Sequence, residues 1–400
     1  MNKTQMLATF VAVLLLTTIC ADADDRFRAQ ILKRFPQVDT NGDGVLSDAE
    51  AAIVSRQILK RFPDADKDGD GKLSDAERQA LMKMAANKNK RSKAMNNKST
   101  GKVDPETFLS ELGLKSEHDI EYRTNTSQQR NKLDFIYPKK NVYDKTPLFI
   151  YIHGGGNTGG TKCAIYQKGN LIIKELTAAG IAVASIDYRV FGQGEELGFQ
   201  HLFQDCKDAV RFLAKNSERF GIDPHKMVTW GTSAGGSKAL ICALTESDFL
   251  PGEVTGAGTD HTVLGAVSFY GVTTFLVPEL WKKRLERFPS RSQSKGEMMF
   301  KPSDGMSVDQ IRNLVSADQH LKATSPPILL VHGDSDPTVP VDLSRHLYQR
   351  GKEKGAEVKF IEVENATHGF KPVQGSKGAP SMTWDEAQKT VVQQVLDWVK

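Results

Sequence analysis

Beyond residue 105 the chain alternates short apolar runs with stretches of helical spacing. Apolar runs at 149–153, 181–186, 227–230, 263–270, 328–331 and 358–363 predict strands. Apolar positions three and four apart at 163–179, 202–213, 237–244 and 390–399 predict helices between them. Near-continuous apolar strands separated by helices imply a mainly parallel sheet covered on both faces, an α/β fold. Residues 273–322 break this rhythm with charged and Pro-containing sequence, and predict a small cap beside the working edge of the sheet.

The first hundred residues follow other patterns. Lys3 precedes an apolar run from Met6 to Ile19, and Ala21-Asp22-Ala23 follows with small residues where a signal peptidase cuts. Residues 1–23 therefore predict a secretion signal, and a secreted or periplasmic mature chain without a transmembrane span. The competing reading is a retained anchor, but the run falls short of the roughly 20 apolar residues a span needs. A lipoprotein would place small residues before Cys20, where Thr17, Thr18 and Ile19 stand. Residues 86–104 carry Lys88, Lys90, Arg91, Lys93, Lys98 and Lys102 among Asn, Ser and Gly, and predict a solvated basic linker.

Between signal and linker lies an internal repeat. Ile31-Leu32-Lys33-Arg34-Phe35-Pro36 returns as Ile58-Leu59-Lys60-Arg61-Phe62-Pro63, and each copy runs into an acidic loop that ends Leu-Ser-Asp-Ala-Glu. In the first loop Asp39, Asn41 and Asp43 supply side-chain oxygens, Val45 a backbone carbonyl, Ser47 a further position and Glu50 a bidentate carboxylate. Asp66, Asp68, Asp70, Lys72 (through its carbonyl), Ser74 and Glu77 repeat the pattern, with Gly44 and Gly71 at the sharp turns. The spacing resembles paired EF-hand loops, so residues 24–85 predict a small all-α module that holds calcium. Two acidic turns without metal are the alternative. About 15 residues separate Glu50 from Asp66, room for one shared helix. That favours a compact structural module over an opening switch.

Four elements of the larger region carry reaction chemistry. Gly231-Thr232-Ser233-Ala234-Gly235 follows a predicted strand and opens a predicted helix, the setting in which a serine stands on a tight turn with its hydroxyl exposed. His153-Gly154-Gly155-Gly156 follows the 149–153 strand, where glycine N–H groups can approach a developing oxyanion. Asp334 and Asp336 compete to orient a histidine. Asp336 is chosen because it lies further into its loop, just before Pro337, while Asp334 is expected to brace the loop through local hydrogen bonds. His368 comes last, after the 358–363 strand, and completes the order Ser, Asp, His.

These motifs, with Asp187-Tyr188-Arg189, resemble α/β-hydrolase carboxylesterases of the hormone-sensitive-lipase-like and feruloyl or acetylxylan esterase branches, from about residue 116 to the C-terminus. The resemblance implies Ser233 as nucleophile, His368 as base and acid and Asp336 as its orienter. It implies an oxyanion hole from the N–H groups of Gly155, Gly156 and Ala234, and a structural part for Asp187-Tyr188-Arg189. The chain departs from the pattern at Thr232, at Ser237-Lys238 and at Asn157.

Composition narrows the field. The 400 residues are 39% apolar, enough for a large core, and 53 basic against 49 acidic residues leave a net +4, which does not point to nucleic acid as a partner. Cys163, Cys206 and Cys242 remain after the signal, so at most one internal disulfide can form. Cys206 and Cys242 either pair or are buried thiols, the second being favoured. The expected activity is hydrolysis of a small ester or an esterified polysaccharide, with acetyl or feruloyl groups as candidates and no cofactor in the reaction itself. The alternatives are a calcium-dependent adhesion protein with an inert hydrolase domain, a prolyl-oligopeptidase-like peptidase and a lactone hydrolase.

Overall fold

The structure, a computed structural model, describes residues 104–400 apart from 125–127, 194–195, 283–285, 287–298 and 377, together with Asp43 and Val45. The signal segment, the linker up to residue 103 and the calcium-loop positions other than Asp43 and Val45 lie outside the described residues. Asp43 Oδ1 accepts the Val45 N–H at 2.7 Å, and both residues are exposed. Contacts divide the chain into residues 1–102 and 103–400.

Eight strands build one sheet in the larger unit: β1 (Ser116–Glu121), β2 (Lys132–Ile136), β3 (Thr146–Ile152), β4 (Ala182–Ile186), β5 (Ile222–Thr232), β6 (Val263–Phe269), β7 (Ile328–Gly333) and β8 (Val358–Val363). Their spatial order is β1-β2-β4-β3-β5-β6-β7-β8. β1 and β2 run antiparallel to their neighbours, and every pair from β4 to β8 is parallel. The principal helices are α1 (Pro105–Glu111), α2 (Asn170–Ala178), α3 (Phe199–Lys215), α4 (Ala234–Leu244), α5 (Val308–Leu314), α6 (Asp342–Lys354) and α7 (Trp384–Val399).

Strand β3 shows why the sheet is covered twice. All seven of its residues are buried. Leu148, Ile150 and Ile152 pack with Phe199, Leu202 and Cys206 of α3. Phe149 and Tyr151 point the other way, into a core with Ile172 and Leu176 of α2 and Val391 and Val395 of α7. The period-two alternation of a strand therefore feeds two apolar layers, and no face of β3 meets water.

Helix α3 buries charges as well as apolar residues. Asp205 accepts both Arg189 nitrogens, Nε at 2.9 Å and Nη2 at 2.7 Å, and also Arg123 Nη1. Arg211 Nη1 donates to Asp208 at 2.9 Å, and Lys207 Nζ donates to the carbonyls of Thr245 and Glu246 at the end of α4. Each buried charge thus meets an opposite charge or oriented carbonyls, without which burial would be prohibitive.

Several boundaries differ from the sequence expectation. The helix expected at 163–179 is broken: a turn at Lys162–Ala164 and a short helix Ile165–Lys168 precede α2. Gly169 stands between the short helix and α2 with non-helical backbone angles, φ −115° and ψ 20°, where a Cβ would crowd Ile165 Cγ1 at 2.9 Å and the Trp230 ring at 3.1 Å. β5 starts five residues before the expected 227, and α4 starts at Ala234 instead of 237. α7 begins at Trp384 because Thr383 and Glu386 form a reciprocal capping box. β1, β2, α1 and α6 were not expected. Cys206 and Cys242 are buried free thiols, and Cys163 is an exposed one.

Candidate active site

Parallel strands end at one edge, so the loops after β3, β5, β7 and β8 gather there. The register sets their heights: Ile152 pairs with Gly231, Thr232 with Phe269, and Gly333 with Val363.

Ser233 joins β5 to α4 at φ 56° and ψ −121°, a left-handed conformation costly for a side chain bearing residue. Two glycines make the turn possible. A Cβ on Gly231 would stand 2.1 Å from the Gly235 carbonyl oxygen, and one on Gly235 would stand 2.0 Å from that of Ile152. The Ser233 N–H is engaged by the Phe269 carbonyl at 2.8 Å, which anchors the turn to β6.

His368 reaches this serine from the loop after β8. Its Nε2 lies 3.0 Å from Ser233 Oγ and its Nδ1 lies 2.6 Å from Asp336 Oδ2. A carboxylate at Nδ1 draws the ring proton there and leaves Nε2 free to accept the hydroxyl proton. The Tyr270 ring packs against the imidazole, 4.4 Å between centroids. Asp334 braces the loop: its carboxylate accepts the N–H groups of Asn365 at 3.1 Å and Ala366 at 3.2 Å. The brace spans two loops and is not confined to its own.

Asp336 is buried, and its Oδ1 accepts the N–H groups of Thr338 at 2.7 Å and Val339 at 3.0 Å. Burial alone raises its pKa, but His332 and His368 outweigh burial and hold the carboxyl well below the usual carboxylate range. His332 Nε2 stands 3.3 Å from Asp336 Oδ2, fixed between Ser344 Oγ and the Val339 carbonyl. The sequence reading did not single out His332, whose sequence signal is only its place at the end of β7, just before Gly333-Asp334.

The glycine run packs under this cluster. A Cβ on Gly154 would stand 2.7 Å from the Thr232 carbonyl oxygen, and one on Gly155 2.1 Å from that of Gly159. Gly155, Gly156 and Asn157 all have positive φ, at 126°, 63° and 64°. Gly156 and Ala234 line a cavity beside Ser233, while Gly155 sits one residue behind, backbone to backbone with Gly159. Tyr188 Oη donates to the His153 carbonyl at 2.8 Å, and Asp187 Oδ1 accepts the Lys162 N–H at 2.9 Å. Asp187-Tyr188-Arg189 thereby ties the glycine loop and α3 to the sheet.

The cavity measures about 360 Å³. Phe199, Phe275, Trp281 and Phe300 give it an aromatic wall, and Arg312 and Lys238 add cations. Phe275 meets Phe199 edge-on at 5.2 Å and Phe300 at 5.4 Å. Within the expected cap, α5 and the turn Pro278–Trp281 supply part of this wall. The wall was not foreseen from the sequence, and Lys238 was visible there only as a departure from a pattern.

A family model named BD-FAE matches residues 133–350, more than half of the chain. The chain is similar to the isoprenylcysteine alpha-carbonyl methylesterase ICME of Arabidopsis thaliana, 28% identical over 246 residues that cover 60% of this chain and 54% of that one. It is also similar to esterase LipC of Mycobacterium tuberculosis, 25% identical over 62% of this chain and 59% of that one. The chain thus spans between half and two thirds of the length of these curated relatives. Among solved structures, a truncated carbohydrate esterase from gut microbiota superposes with a TM-score of 0.53 at 19% identity, over 71% of this chain and 96% of that one. Thermogutta terrifontis esterase 2 in its apo form gives 0.53 at 21% identity, over 70% and 94%. Identities this low speak for the fold alone, and the fold they share is the α/β-hydrolase sheet described above. With the match covering the sheet from β2 to β7, the chain belongs to the BD-FAE family of α/β-hydrolases.

Proposed function

We propose that the protein hydrolyses carboxylic esters through an acyl-enzyme on Ser233. The carrying observation is the unbroken relay from Ser233 Oγ to His368 Nε2 at 3.0 Å and from His368 Nδ1 to Asp336 at 2.6 Å. His368 takes the serine proton as Oγ attacks the carbonyl carbon. The resulting oxyanion is held by N–H donors from the Gly155-Gly156 loop and Ala234, and the imidazolium by Asp336. His368 then gives its proton to the leaving alcohol, and water, deprotonated by the same ring, releases the acid. The esterase relatives and the BD-FAE match support this reading.

The substrate class in this proposal is a small ester or an esterified polysaccharide, with acetyl or feruloyl groups seated in the apolar cavity. Residues 1–23 direct secretion, and calcium sits in the loops Asp39–Glu50 and Asp66–Glu77 as a structural ion. No step of the hydrolysis runs through it. Two measurements test the hydrolysis and the calcium: Ser233→Ala abolishes release of p-nitrophenol from p-nitrophenyl acetate and butyrate, while chelation of calcium lowers the melting temperature of the N-terminal unit and leaves kcat in place. Turnover that survives Ser233→Ala removes the acyl-enzyme route.

A further inference from the structure

Lys238 stands on α4, one helical turn beyond Ala234, and is 1% exposed. An ammonium buried among apolar groups is costly unless it is paired and hydrogen-bonded. The groups that receive this one are neutral. Nζ donates to Asn157 Oδ1 at 2.7 Å and to the Ala234 carbonyl at 3.3 Å. It also lies 4.7 Å from the ring centroid of Tyr188 and 4.6 Å from that of Phe203.

Both hydrogen-bond partners flank the oxyanion donors. Asn157 closes the glycine run in a left-handed conformation, and its carbonyl accepts the Phe191 N–H at 2.8 Å. Ala234 opens the helix behind the nucleophile. The clamp thus joins the two segments whose spacing decides whether donors meet an oxyanion at the required distance. We infer that Lys238 is a positioning residue for the oxyanion hole: as an ammonium it holds the glycine loop to the nucleophile helix through Asn157. This rests on the hydrolase reading. A charged donor makes a stronger bond than an amine to the same amide oxygen. Its charge also favours negative charge developing in the same cavity.

Burial pulls the Lys238 pKa down to about 8. The groups around it are Asp205 and Cys206 from α3, Cys242 on its own helix, Tyr188 and Asn157 from the loops, and Asp309 and Arg312 across the cavity. Burial also pushes up both thiols, that of Cys242 to about 11, so Asp205 is the carboxylate that counts, and two arginines already hold it. Raising pH through about 8 therefore discharges the clamp, and kcat should decline there. Stability moves the other way. Between about 8 and the ordinary value of 10.5 the unfolded chain binds more protons at this lysine than the folded one, so its titration stabilises the fold as pH rises. A decline in kcat in that window is not this lysine unfolding the domain.

The test measures kcat, KM and the pH–rate profile of the full chain on p-nitrophenyl butyrate. Lys238→Met should lower kcat about tenfold with little change in KM, and flatten the alkaline limb. It should weaken an alkylboronic acid, which mimics the tetrahedral adduct, by the same factor, while a fluorophosphonate still labels Ser233. Lys207→Met serves as control: burial pulls that lysine to about 8 too, but it serves the end of α4. If Lys238→Met does not fold, Lys238→Arg keeps the charge at every pH and should hold kcat flat above pH 8. Unchanged kcat and limb in Lys238→Met, or a limb that persists in Lys238→Arg or vanishes in Lys207→Met, overturns the inference. Absence of turnover in the wild-type chain would instead sink the hydrolase reading on which it rests.

Discussion

The two sides of the cavity are built by different means. On the catalytic side, backbone meets backbone: Gly154 against Thr232, Gly155 against Gly159, Gly231 against Gly235, Gly235 against Ile152. No Cβ fits between them, so the turns that carry Ser233 and the oxyanion donors can approach each other only as glycine backbone. On the opposite wall, side chain meets side chain. Phe275, Phe199, Phe300 and Trp281 contact one another through ring edges and faces, and Arg312 lies 4.8 Å over Phe300. Such contacts tolerate exchange of one hydrophobe for another of similar volume. Under the proposed function, the difference puts reaction chemistry on the first side and choice of acyl group on the second.

Short of removing the nucleophile, the largest effect expected on the catalytic side is that of Asp336→Asn. The Thr338 and Val339 N–H groups hold Oδ1, so an asparagine there keeps its carbonyl on them and turns its NH2 to His368 Nδ1. The imidazole then carries its proton on Nε2 and cannot take one from Ser233. A fall in kcat of roughly 10⁴-fold follows, with KM nearly unchanged. A loss of only tenfold would show that the buried carboxylate does not set the tautomer. Gly235→Ala probes the same side through stability. Its Cβ would press on the Ile152 carbonyl, and the sheet and α4 must separate, at a cost of about 3 kcal/mol in urea denaturation. A smaller cost would mean that the elbow is more compliant than its contacts indicate.

The same contrast explains what the sequence discloses. Glycines at a strand end and a Ser, Asp, His order are local signals, because the geometry they serve is local, and they sit on the loops that the α/β pattern anticipates. The central strands are legible because both faces of each are buried. β1 is not: Ser116, Glu117, His118 and Ile120 are half-covered, Asp119 and Glu121 are exposed and none is buried, and Ser116, Glu117, His118 and Asp119 read as loop. β2 hides behind Lys132 and Asp134, whose buried carboxylate is met by Lys162, Tyr166 and the Asp119 N–H. The aromatic wall comes from residues 199, 275, 281 and 300, segments that meet only after folding. Lys238 is the intermediate case, a lone charge in a helix whose every residue is buried, conspicuous in sequence yet without a partner until Asn157 is brought beside it.

The smallest effect belongs to the wall and separates the two sides most directly. Phe275→Ala removes a ring that touches Phe199, Phe300 and Trp281, and enlarges the cavity at its aromatic wall. The relay distances from Ser233 to His368 and Asp336 involve none of these rings, so kcat on p-nitrophenyl acetate should hold within about twofold. For a butyryl or feruloyl ester the lost contact removes about 1–3 kcal/mol of binding in the transition state. That corresponds to a fall of roughly 5- to 150-fold in kcat/KM for the larger ester alone. The ratio of the two substrates' kcat/KM is the quantity to measure, because a general loosening of the domain lowers both rates together and leaves the ratio fixed. An unchanged ratio would mean that the acyl group lies elsewhere than against the aromatic wall, and that the division of labour between backbone and side chains fails at the substrate.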